Sequence, residues 1–210
     1  MARIGGGGVR VEALTSDRFG EVVEILNEFT GGTGKACCCC LPCCCCPVSV
    51  DEFAAPYARC PGAMALSSVA VREDDGAVVG AIKMNSHHLR ASNSFEAALH
   101  RIEPGEYYVE WFAVRRAARG AGAGSMLLER CAQVARARGG LKLTLAVIAR
   151  NPAVRLYERH GFVRSERRLL DSWTFSLATA FVFGFHCWWP TGGPRSRVGF
   201  GGFMMEKALV

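Results

Sequence analysis

Apolar residues recur along the chain in two rhythms, and the switches between them outline the elements. Val9 to Leu14 alternates as a short strand. From Ser16 the period changes to that of a helix, with Ser16 and Asp17 as N-cap candidates. Phe19, Val22, Val23, Leu26 and Phe29 lie on one face, and Gly31-Gly32 ends it. A cysteine tract follows, then a second short helix over Val50 to Ala58. Strands are expected at Ala63 to Val71 and Ala77 to Met84, joined by the hairpin turn Glu73-Asp-Asp-Gly76. A polar stretch around His87 to Asn93 interrupts the order. Tyr107 to Val114 is a nearly continuous apolar strand that runs into glycines at 119–124. An amphipathic helix over Ser125 to Arg138 buries Leu127, Leu128, Cys131, Val134 and Ala135 and stops at Gly139-Gly140. A strand over Leu141 to Ile148, a short helix over Pro152 to Arg159 and a strand from Phe162 complete the reading. This order predicts an α/β fold, a mixed central sheet flanked by helices on both faces.

The length of 210 residues suits a single domain over 1–210 rather than two. Half the residues are hydrophobic and 21% are charged, which excludes wholesale disorder. A net charge of +6 suits a polyanionic small molecule, an acidic partner or a membrane surface. Nucleic acid would need a wider basic face with interleaved aromatics, so no nucleic-acid partner is expected. The start MARIGGGGVRVEAL carries no apolar run of signal-peptide length, and a cytoplasmic location is the expectation.

Candidate chemistry gathers between Tyr108 and Phe162. A buried strand runs into Arg119-Gly-Ala-Gly-Ala-Gly124, which opens a helix. Glycines let backbone approach an anion closely, and the first helical N–H groups have no internal partners, so the turn suits a phosphate. The spacing fails the G-x-G-x-x-G dinucleotide pattern, and a P-loop would need a Gly-Lys-Ser/Thr ending that is absent.

Arg119, Gly122 and Gly124 fit Arg/Gln-x-x-Gly-x-Gly/Ala. Farther on, Asn151, Ala153, Tyr157, Gly161 and Phe162 fit a second pattern in NPAVRLYERHGF, and FMMEKAL near the end supplies a third. Together these motifs resemble the GNAT N-acetyltransferase superfamily, most firmly over 107–163. The resemblance implies a GNAT-type acyl-CoA N-acyltransferase fold and direct transfer of an acetyl group from acetyl-CoA to a primary amine in a ternary complex. It implies that the backbone of Arg119, Gly120, Ala121, Gly122, Ala123, Gly124 and Ser125 holds the pyrophosphate. Phe112, Ala113 and Val114 would line the pantetheine between strands that splay apart, with backbone groups of Phe112 and Val114 holding it and one strand amide polarising the thioester carbonyl. Asn151 would contact the cofactor. Tyr157 would contact it too and protonate the departing thiolate, which a phenol of pKa ~10 does only within hydrogen-bond reach of sulfur.

The attacking amine must lose a proton, and Glu110 is the candidate base. It is the one acid inside an apolar strand, and strict alternation puts it on a face with Tyr108, Phe112 and Val114. An apolar setting disfavours a charged carboxyl and prepares it to accept a proton. The alternative is a buried structural charge paired with an arginine. His160 reads as a charge at a helix C-terminus. Of the arginines around the turn, Arg115, Arg116 and Arg119 are assigned to phosphates of CoA, and Arg130, Arg136 and Arg138 to a solvated helix face.

Two segments depart from the family pattern. Cys37 to Cys46, within a low-complexity loop at 36–47, holds eight of the 11 cysteines. An uninterrupted run offers many zinc-like spacings, so none is diagnostic and no metal is assigned; S-palmitoylation is the other reading beside low complexity. Within an insertion at 169–199, Trp173 to Trp189 carries no formal charge and has tryptophans at both ends. A spanning helix would strand FMMEKAL across a bilayer, so a lid over the acceptor site or a segment in peripheral membrane contact is expected. Trp111, Phe112 and that insertion point to a small aralkylamine acceptor. Protein N-terminal or lysine acetylation, and an inactive acyl-CoA-binding or membrane-associated module, are the alternatives.

Overall fold

A computed structural model describes residues 8–30, 47–89, 100–148, 151–165 and 202–209. The cysteine tract at 37–46 and the insertion at 169–199 lie outside them. Strand β1 (Val9–Ala13) leads through a 3-10 turn into α1 (Phe19–Thr30). The turn's N-cap is Thr15, not Ser16 or Asp17. Helix α2 (Val50–Arg59) starts on a capping box: the Ser49 hydroxyl accepts from the Glu52 N–H while the Glu52 carboxylate accepts from the Ser49 N–H. The hairpin of β2 (Ser67–Arg72) and β3 (Val78–Ser86) turns at Gly76, whose φ of 70° requires glycine. The expected strand start at Ala63 is corrected. Pro61–Leu66 forms a 3-10 turn, because Pro61 opens it and the chain enters the sheet only at Ser67. Then come β4 (Glu106–Val114), α3 (Ala123–Ala137), β5 (Lys142–Ile148), α4 (Val154–Arg159), β6 (Val163–Arg164) and β7 (Gly202–Ala208).

Among the described residues the strands form one mixed sheet in the order β1-β2-β3-β4-β5-β7-β6. Only the β4–β5 pair is parallel. Alternation along β2 sends Ala70 to one face and Val69 and Val71 to the other. Leu127, Leu128, Cys131 and Ala135 of α3 cover the first face, with Tyr157 of α4. Phe19, Val22, Val23 and Ile25 of α1, with Phe53 and Tyr57 of α2, cover the second. No helix among the described residues is long and apolar enough to cross a membrane.

The foot of the β4–β5 pair is fixed by a buried carboxylate. Glu106 Oε1 lies 2.6 Å from His100 Nε2 and accepts from Thr144 Oγ1 at 2.6 Å, while Oε2 accepts from the Glu103 N–H at 3.0 Å. Burial alone would raise this carboxyl, but the hydrogen bonds from His100, Thr144 and Glu103 outweigh it and hold the group at about 2. An unfolded glutamate titrates near ~4.3, so the folded value is depressed and the ionised form is favoured by folding. The resulting stability, roughly 3 kcal/mol, is complete above the unfolded value and disappears as pH falls towards the folded one. Urea midpoints measured between pH 2 and pH 6 should therefore drop steeply on acidification for the wild type. The Glu106→Gln variant should start lower and show a flatter profile.

Candidate active site

The turn between β4 and α3 is open backbone. Gly120 and Gly122 sit at φ of 84° and 88°, and nothing lies within 4 Å of a Cβ at either position. Helix α3 begins at Ala123 with Gly122 as its N-cap, no side-chain cap and no acidic residue in its first turn. The N–H groups of its first turn keep their hydrogen-bonding capacity for a ligand, at the positive end of a 15-residue helix. Arg119 is exposed, and its Nε donates to the Val114 carbonyl at 3.2 Å, which places the guanidinium beside the turn. Ala121 is exposed, Ser125 half-buried and Ala123 buried, so Ala123 offers backbone only. Gly124 has a different role. A Cβ there would stand 3.1 Å from Phe112 Cζ and 3.2 Å from Leu156 Cδ2, so glycine lets α3 close onto β4 and α4.

Three carboxylates on one face of α1 hold this corner from the far side of the sheet. Glu21 accepts from the Val78 N–H, Glu24 from the Arg115 guanidinium and Glu28 from the Arg116 N–H, each at 2.8 Å. Arg115 Nε donates to the Val78 carbonyl as well. The assignment of Arg115 to a phosphate is corrected accordingly: its guanidinium ties β3 to α1. Arg136 is likewise tied down, donating to the Leu209 carbonyl.

Strand β4 carries a bulge at Glu110. Lys83 pairs with Trp111 and the next residue, Met84, with Val109, so Glu110 is the extra residue without a partner in β3. Two consequences follow. Side-chain alternation changes phase, and Phe112 and Val114 join Tyr107 and Val109 on the α3 face, while Trp111 and Ala113 pack towards α1 and α2. The expected common face of Glu110 with Phe112 and Val114 is thereby corrected. The second consequence is that β4 leaves β5. Their pairing runs from Glu106 with Lys142 to Val109 with Leu145 and goes no further, although both strands continue. The Arg115 N–H donates to Val79 of β3. Amide directions alternate along a strand, so the N–H groups of Phe112 and Val114 turn away from β3 into the space between β4 and β5, and that of Ala113 turns towards β3.

Glu110 is paired with Lys83, not with an arginine. Its Oε2 lies 2.7 Å from Lys83 Nζ, and the two side chains are only 5% and 4% exposed. Oε2 is buried and has no hydrogen-bond partner, so its contact with Lys83 is that of an ion pair. Lys83 Nζ also lies 5.3 Å from the centre of the Tyr57 ring. Burial, with the nearby Glu110 charge, pushes the Tyr57 phenol well up, and it stays a neutral hydroxyl against Ser67. Two residues along β3, the buried Asn85 spends Oδ1 on the Ser86 N–H, and its Nδ2 has no hydrogen-bond partner. Lys83 and Asn85 escape sequence reasoning because a polar residue at every second strand position reads as a solvent face.

Tyr157 is buried between Phe112 and Phe162, with ring centres at 6.2 Å and 6.0 Å. Burial raises its phenol to about 12. It packs with Phe112 beside the strand whose amides face the gap. Asn151 uses Oδ1 to accept from the Ala153 N–H at 2.9 Å, starting α4, and its amide nitrogen takes no part in that bond. His160 closes α4, and burial pushes its imidazole below the ordinary value, towards the neutral form rather than the expected charge. Among the described residues no group of three or more His, Cys, Asp or Glu side chains is arranged to hold a metal ion.

The family model described as the acetyltransferase (GNAT) family matches residues 43–162. No curated protein matches the sequence. Ard1 from Thermoplasma volcanium shares the fold at 15% identity and a TM-score of 0.58, over 97% of this chain and 99% of that one. The PaiA N-acetyltransferase from Thermoplasma acidophilum, in complex with coenzyme A, is similar at 13% identity and 0.57, over 96% and 99%. The ribosomal-protein-S18-alanine N-acetyltransferase from Escherichia coli is similar at 17% identity and 0.54, over 96% and 94%. At these identities the likeness is one of fold.

The packing at Gly124 yields a direct test. Gly124→Val should cost about 1–3 kcal/mol through overpacking against Phe112 and Leu156. Ala121→Ser, on exposed backbone three residues earlier, should change the thermal midpoint little.

Proposed function

The chain belongs to the GNAT acetyltransferase family and is an N-acetyltransferase, and on that footing we propose that it moves the acetyl group of acetyl-CoA directly to a primary amine within one ternary complex, as a single domain over 1–210. The observation that carries this reading is the parting of β4 from β5 at Val109 and Leu145, beside bulged Glu110 and below an uncapped glycine turn. The space left by the strands suits a narrow pantetheine arm, and the Phe112 and Val114 amides offer it hydrogen bonds. The exposed backbone of Arg119 to Gly122, with the first turn of α3, suits the pyrophosphate. Acetyl-CoA, when bound, supplies an acyl carbon open to amine attack and a thiolate that leaves.

Glu110 takes the proton that the amine nitrogen sheds as the C–N bond forms. Tyr157, at about 12, is fully protonated at neutral pH and acts as donor to the departing sulfur. At that value complete transfer to a thiolate is uphill, so its contribution is a hydrogen bond that strengthens as charge develops. Cys131 is no candidate to carry the acyl group. Its thiol is buried in the α3 core and burial pushes it up, far from the thiolate that a covalent acyl-enzyme would need.

Trp111, half-buried next to Glu110, supports a small aralkylamine as acceptor. Phe53 contacts Phe19, Tyr57 and Trp111, with ring centres between 5.2 Å and 5.7 Å. A polypeptide N-terminus is the second reading, favoured by the buried Asn85 Nδ2, a donor without a hydrogen-bond partner that suits a peptide carbonyl. The Escherichia coli neighbour is itself named for an alanine of a ribosomal protein.

Calorimetry with CoA and a free-thiol assay over a panel of amines test the proposal together. Tyr157→Phe should lower kcat about 100-fold and leave CoA affinity within about threefold of wild type. Equal losses in turnover and binding would remove Tyr157 from the acid role, and binding without turnover on any amine would make the chain an acyl-CoA module.

A further inference from the structure

The ion pair at the bulge changes what the site can accept. A lone carboxylate beside the acyl carbon would attract an ammonium and then deprotonate it. Here the carboxylate already has a cation at 2.7 Å, in a setting where both side chains are nearly sealed from water. Lys83 cannot readily step aside. It rises from the central strand β3, is 3% exposed as a residue, and is held between the Glu110 carboxylate and the face of Tyr57. An incoming ammonium would therefore add a second positive charge to a buried site holding one negative charge. An uncompensated buried charge is among the costliest states a protein can adopt, and like charges at this range repel strongly in a low dielectric. A neutral amine meets no such barrier. It can point an N–H at Glu110 Oε1, the carboxylate oxygen outside the 2.7 Å contact with Lys83, and keep its lone pair for the acyl carbon.

Building on the assignment of Glu110 as base, we propose that Lys83 is a specificity-determining residue that restricts the acceptor to amines entering uncharged, which selects weakly basic amines over alkylammonium ions. Model α-amino groups titrate near ~7.7–8.0 and alkylamines of the lysine type near ~10.4, so at pH 8 the former supply far more of the neutral form. The proton is then released after attack. The neutral amine forms the C–N bond, the C–S bond breaks, and the proton of the tetrahedral nitrogen passes to Glu110 while the sulfur takes a hydrogen bond from Tyr157. Lys83 takes no part in the bond changes. It sets the charge of the pocket.

The test compares two acceptors of nearly the same shape, phenethylamine and its far less basic β,β-difluoro analogue, at fixed pH with saturating acetyl-CoA. Lys83→Gln keeps a hydrogen-bond donor near Glu110 without the charge, and Lys83→Arg keeps the charge. The ratio of kcat/KM for the two amines cancels their intrinsic reactivities when variants are compared. Lys83→Gln should raise kcat/KM for phenethylamine relative to the difluoro analogue at least tenfold, mainly through a lower KM, and Lys83→Arg should keep the wild-type ratio. A ratio within twofold of wild type in folded Lys83→Gln overturns the proposal. So does a wild type that takes Nα-blocked lysine amide as efficiently as phenylalanine amide, a comparison that needs no variant to fold. Wild type inert towards phenylalanine amide overturns it too. Failure of the underlying reading shows separately, as Glu110→Gln with undiminished turnover on neutral amines.

Discussion

A β-sheet satisfies its backbone by pairing every strand with its neighbours, and this sheet breaks that rule at one place. The extra residue at Glu110 advances β4 by one position against β3, and from there β4 and β5 are no longer partners. Buried amides without partners are costly, so a gap of this kind persists only where something else meets them or where the surrounding structure holds the strands apart. Glu110 stays on the α1–α2 side, against Lys83, while the insertion sends Phe112 and Val114 to the α3 side. One local irregularity thus parts the strands and leaves the acid on one side of the sheet and the packing residues on the other.

The rest of the fold acts to hold that break in place. At the foot, Glu106 binds β4 to Thr144 of β5 and to His100, so the two strands are fastened where they are paired. At the far end, Glu24 and Glu28 of α1 grip the chain just after β4 through Arg115 and the Arg116 amide. Exposed ion pairs contribute little to global stability, but contacts to backbone and to a guanidinium that is itself hydrogen-bonded to backbone fix geometry. The strand is clamped at both ends and free to bow between them. Gly124 then allows α3 to lie against the bowed segment, so the open turn and the cleft meet at one corner.

What could be read from the sequence was whatever depends on near neighbours in the chain. The glycine turn, the α3 face, the Asn151-to-Phe162 segment and the closing strand are local patterns, and each lies where its pattern placed it. The bulge was not legible, because it is a property of pairing: YYVEWFAV alternates as well with an extra residue as without one. The apolar run before Ser67 was misread for a related reason. AMAL is apolar and runs without a break into the strand residues that follow, and only pairing in the sheet decides where the strand begins. Lys83 and Glu110 are 27 positions apart, and no periodicity links a lysine in one strand to an acid in another.

That ion pair is best understood through what it fails to do. A buried lysine–glutamate pair seldom stabilises a fold more than two apolar residues of similar size, since desolvation offsets most of the attraction. The Phe19, Phe53, Tyr57 and Trp111 cluster beside it shows that apolar packing was available at the same place. A charge pair kept inside such surroundings is therefore poorly explained by stability and well explained by placement. It sits at the residue that breaks the sheet, with the ammonium held against Oε2 and with Oε1 outside that contact. The cost of burying the pair and the cost of unpairing the strands fall on the same few residues, which is the placement that the proposed acetyl-transfer site requires.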